Sequence, residues 1–86
     1  MNYKDLVNEV KKQTGEKYEV CSDIVNGYEK YCEDEIKRPF KKEVDEHMIE
    51  WVSSYTKHDN QTVSSVLTVL ITLVRKEVKS KIPFMK

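Results

Sequence analysis

The chain has 86 residues, 38% of them apolar and 35% charged, with fifteen acidic side chains against fifteen basic ones. A single domain of this length sits near the size where one core gives only marginal stability, so the core is expected to be thin and burial against a second subunit a natural supplement. Zero net charge argues against a general electrostatic grip on nucleic acid or on an anionic membrane.

The charge is unevenly laid out. Between Glu16 and Ile36 stand seven acidic residues and two basic ones, Lys37 to Lys42 holds four basic residues and no acidic one, and Arg75 to Lys86 adds five basic residues against Glu77. Such blocks are ordinarily solvated surface, with partner docking the less common use. Lys4, Asp5 and Glu9 interrupt any early apolar segment, so no secretory signal is expected. The run from Val63 to Val74 is too short for a membrane span and is diluted by Ser64, Ser65, Thr68 and Thr72. The expectation is a soluble, cytoplasmic protein with no membrane partner, residues 1–86 forming one helical domain.

In chain order, Asn2 suits the cap of a first helix, with Asp5 near its positive end and Tyr3, Leu6, Val7 and Val10 on one stripe. Lys11 and Lys12 suit its last turn, and Thr14-Gly15 reads as the stop. A second helix is predicted from about Lys17 to Ile36, with Val20, Ile24, Tyr28 and Tyr31 on one side and Cys21, Val25 and Cys32 beside them. Asn26-Gly27 is also a strong hairpin signal, but the residues from Tyr28 to Ile36 keep helical spacing and do not alternate. Gly27 in mid-helix costs about 1 kcal/mol against alanine, a penalty that close helix packing would offset. Arg38-Pro39 ends that helix, and Pro39 is expected to open a third. Its face would carry Phe40, Val44, Met48, Trp51, Val52 and Tyr55 to about Lys57. After a polar loop from Lys57 to Gln61, with Asp59 or Asn60 as cap, the fourth helix should run to about Lys81, where Ile82-Pro83 stops it.

Asn60 to Val74 is fifteen residues without a charge, and the rest of the chain is organised around it. Val63, Val66, Leu67, Leu70, Val74 and Val78 repeat at 3–4 spacing, and Val69, Ile71 and Leu73 widen that face. Its many β-branched residues favour strand on propensity alone; helical spacing over four turns outweighs that. The opposite stripe carries Ser65, Thr68 and Thr72 where a surface helix would carry charges, so this helix is either the centre of a bundle or half of a subunit interface. The fold class expected is all-α, a four-helix bundle-like domain with a central apolar C-terminal helix and the first two helices as an antiparallel hairpin.

The first 36 residues also resemble the N-terminal helical hairpin of the HU/IHF family of histone-like DNA-binding proteins. The matching positions are Met1-Asn2, Lys4, Leu6, Val7, Asn8 and Val10, then Thr14-Gly15, the pair Ile24-Val25, Tyr28 and Ile36. That family continues into a glycine-rich turn, a twisted sheet and basic arms that enter the minor groove, whereas here no glycine follows Lys37 and no alternating strand pattern appears. The resemblance therefore implies at most the dimer-forming hairpin, and no DNA-contacting residue is carried over.

Little chemistry is offered by the remaining residues. Cys21 and Cys32 are eleven apart, or roughly 16 Å along one helix at ~1.5 Å per residue, beyond the reach of a disulfide. With His47 and His58 they lack the short paired spacing of zinc sites. Glu33-Asp34-Glu35 point in different directions on a helix and do not converge on a substrate. No catalytic, cofactor-binding or metal-binding residue is assigned, and no enzymatic activity is expected. The leading expectation is a small non-catalytic interaction or assembly module, a homodimer formed through Ser65, Thr68 and Thr72, of the kind found among bacterial and phage regulators and adaptors. Its partner would be a second copy or another protein. The second reading is a nucleic-acid-associated protein related to the HU/IHF hairpin, with Lys37, Arg38, Lys41 and Lys42 as the patch for nucleic acid or an acidic partner.

Overall fold

The computed structural model describes residues 3–38, 41 and 43–80, with side chains described through residue 76. It contains four helices, α1 (Tyr3–Thr14), α2 (Tyr18–Lys30), α3 (Glu46–Thr56) and α4 (Asn60–Ser80), and no strand among the described residues. The all-α bundle-like class expected from periodicity is the one observed. Asn2, the expected cap of α1, and Ile82-Pro83, the expected stop of α4, lie outside the described residues.

α1 buries Leu6, Val7 and Val10 and ends where Gly15 turns left-handed at φ 78°. The three-residue link returns the chain along α1 as α2. Tyr3 at one end reaches Ser22 and Asn26 through its hydroxyl, while Thr14 at the other end meets Cys21. The pair is the expected antiparallel hairpin. α2 then widens into a π turn, Tyr31–Glu35, and closes at Lys37, which takes φ 53° as the Ile36 amide donates to the Tyr31 carbonyl. The second helix thus runs on as far as the spacing indicated, but its last turn is not α-helical.

Gly27 settles the Asn-Gly ambiguity physically. An added Cβ would lie 2.9 Å from Val52 Cγ1 and 3.1 Å from Thr56 Cγ2, so the missing side chain is what lets α3 approach α2. α3 itself begins seven residues later than the proline suggested. Asp45 is its cap, accepting from the Met48 amide at 2.9 Å, and it holds extended geometry at φ −131° and ψ 172°. The segment before it is held by Tyr28, whose buried hydroxyl accepts from the Lys41 amide at 2.9 Å and donates to the Lys41 carbonyl at 3.1 Å. A residue bonded both ways to a remote side chain is not free to join a helix. Val44 accordingly packs half-buried against the core from an irregular connection, and Phe40 lies outside the described residues.

α4 packs against α1, α2 and α3, which makes it central as expected, although α2 also touches all three of the others. Asp59 rather than Asn60 caps it, accepting from the Thr62 amide at 2.7 Å. Val63, Val66, Leu67, Leu70, Ile71, Leu73 and Val74 are all buried, joining Ile24, Val25, Tyr28, Tyr31, Met48 and Val52 from the other elements in one core. Tertiary burial of this wide apolar face overrides the β-branched propensity, since each fully buried side chain contributes about 1.5–3 kcal/mol.

The two caps set the acid side of the stability profile. The Met48 amide first, and then the Lys41 ammonium at 3.0 Å, hold the Asp45 carboxyl below its ordinary range, and the Thr62 amide does the same for Asp59. Both groups are depressed on folding, so their contribution is fully present above the ordinary aspartate range near ~3.9 and is lost as pH falls through the lower folded values. Glu29 opposes this, because desolvation and then Glu33 raise its carboxyl, and its strain is relieved on acidification. Melting curves at successive pH values should fall steeply below about pH 4, and Asp45→Asn should flatten that fall.

Candidate functional site

The expected self-association face is a surface stripe. Ser65, Thr68 and Thr72 are all exposed, on the side of α4 opposite its buried residues. The Thr68 hydroxyl donates to the Ser64 carbonyl and the Thr72 hydroxyl to the Thr68 carbonyl, both at 2.8 Å. With those two donors satisfied inside the helix, covering the stripe would strand neither threonine proton. Gln61 is exposed in line with it, and the first charges on this face are Arg75 and Lys76.

The residues of the expected basic patch differ in exposure and pairing. Lys37 and Arg38 are exposed, but Lys41 is partly buried with its ammonium 3.0 Å from Asp45, and Lys42 lies outside the described residues. Hydrogen bonding to Asp45 raises the Lys41 ammonium above its ordinary range.

Both cysteines are buried free thiols, Cys21 on α2 and Cys32 in the π turn. Desolvation raises both thiols above their ordinary range. A thiol that stays protonated and enclosed reacts slowly. Thiol titration of the native protein should therefore proceed far more slowly than in denaturant, where two thiols should react at once; prompt native reaction would contradict the buried placement.

The histidines stand apart. His47 Nδ1 lies 3.0 Å from the Tyr31 hydroxyl and its Nε2 3.6 Å from Glu35, while His58 Nε2 lies 3.1 Å from Asp23. His58, in the polar loop between α3 and α4, is half-buried. Among the described residues, no group of three or more His, Cys, Asp or Glu side chains is placed to hold a metal ion, and no helix is long and apolar enough to cross a membrane.

Sequence reasoning missed an aromatic ledge. Tyr55, assigned to the core stripe, is 49% exposed, and Trp51 is only half-buried. The two rings stack at 5.5 Å and 15°, and Trp51 meets Tyr31 edge-on at 5.5 Å. Beside Tyr55 opens a groove of about 250 Å³ lined by Asn26, Glu29, Lys30, Glu33 and Tyr55. Its signal in the sequence is faint: Tyr55 sits in the last turn of α3, opposite the glycine of α2.

No family model, curated protein or solved structure matches this chain. From the hairpin of α1 and α2 the chain continues into α3 and α4.

Proposed function

We propose that this protein is a non-catalytic helical assembly module that pairs with a second copy of itself through the exposed face of α4. The observation that carries the reading is the combination at Ser65, Thr68 and Thr72: exposed, uncharged, and with both threonine donors already satisfied. Burying such a face removes few polar groups from water, and small side chains allow close helix approach. An ordinary solvated face would carry lysine or glutamate there. The test is the solution mass as a function of concentration, which should rise from one chain to two in the parent and stay at one in the T68K/T72K variant.

Nucleic-acid association is the second reading, favoured by the exposure of Lys37 and Arg38 next to each other. Two such contacts would give a shallow salt dependence, about 0.9 decade of affinity per decade of salt for each phosphate. Duplex DNA binding that weakens with salt at about that slope would move the balance towards this reading, and no binding at low salt would remove it.

A further inference from the structure

We propose that the groove beside Tyr55 is a docking site for an arginine side chain presented by a partner polypeptide. One wall is the Tyr55 ring, 49% exposed and held in place by its parallel stack on Trp51. A backed aromatic face attracts a cation laid against it, and guanidinium, being planar and weakly hydrated, stacks there better than ammonium. The groove is also lined by Glu29 and Glu33, four residues apart in the chain. Lys30, the only cation lining the groove among the described residues, reaches Glu33 and Asp34 at 3.8 Å each and is not paired with Glu29. Partial desolvation, and then the charge of Glu33, raise the Glu29 carboxyl above its usual range. A guanidinium lying flat on Tyr55 would donate to Glu29 and complete the charge balance of the groove, which fits the fork geometry of arginine.

Among the described residues none of α4 lines this groove, and the hydroxyl stripe Ser65, Thr68 and Thr72 is not part of it. Trp51 is the only tryptophan, which makes its fluorescence a direct reporter of the groove. The full chain would be titrated at low ionic strength with acetyl-Gly-Arg-Gly-amide and with its citrulline and lysine counterparts. The arginine peptide should give a saturable change. Citrulline, of the same shape without the charge, should bind about tenfold more weakly or not at all, and lysine more weakly than arginine. E29Q/E33Q, two exposed isosteric changes whose fold circular dichroism would verify, should weaken the arginine peptide by about tenfold. No saturable response, equal binding of the citrulline or lysine peptide, or unchanged affinity in the folded E29Q/E33Q variant would each overturn the proposal.

Discussion

Tyr28→Ala should unfold the domain at room temperature or leave it barely stable. The ring is fully enclosed in the core, and its hydroxyl carries both backbone groups of Lys41, thereby fixing the connection between the π turn and α3. Truncating a buried aromatic costs about 3–5 kcal/mol, against a total of roughly 5–15 kcal/mol for a typical domain. Tyr28→Phe separates the two contributions. It keeps the packing but strands the Lys41 amide, and should cost about 1–3 kcal/mol. Denaturant unfolding of both variants checks the account. A Tyr28→Phe protein as stable as the parent would mean that the Lys41 segment is held by something else.

Gly27→Ala should destabilise the protein although alanine is the better helix former by about 1 kcal/mol. The new methyl would stand 2.9 Å from Val52 Cγ1, on a stiff β-branched side chain with no rotamer to retreat into, and 3.1 Å from Thr56 Cγ2. Overpacking of this kind typically costs about 1–3 kcal/mol, which leaves a net loss. Adding Val52→Ala removes the obstructing methyl, so the double variant should be more stable than the sum of the single effects predicts. Additive behaviour, or a stabilising Gly27→Ala, would mean that α2 and α3 are not in contact at this point.

These two residues mark the boundary of what the sequence could tell. The hairpin of α1 and α2 and the central α4 follow from apolar spacing, with the Gly15 stop and the Asp59 cap at expected positions. The role of Gly27 was legible too, since a glycine in a helical run is tolerated where another helix must come close. The start of α3 was not. Arg38-Pro39 and Asp45 are both credible start signals, and the choice between them is made by Tyr28, seventeen residues before the cap, through a hydrogen-bond pair that no local pattern encodes. The face that α3 buries is also narrower than the spacing suggests. Met48 and Val52 take the core, while Trp51 and Tyr55 are left to form the ledge that borders the acidic groove. The hydroxyl stripe of α4 is legible in the sequence, whereas the return of Thr68 and Thr72 to the helix's own carbonyls depends on side-chain rotamers that the sequence does not fix.

The central claim is that this stripe is covered by a second copy, and sedimentation of the parent and of T68K/T72K across a concentration series tests it most directly. Thr68 and Thr72 are exposed within one chain, so lysine at both positions should leave each subunit folded, as circular dichroism would verify. In a dimer the same two ammonium groups would lose their water, at several kcal/mol each. The account predicts a parent that passes from one-chain to two-chain mass with concentration and a folded variant that remains a single chain throughout. A parent that stays monomeric at the highest concentration, or a variant that associates as readily as the parent, would contradict it.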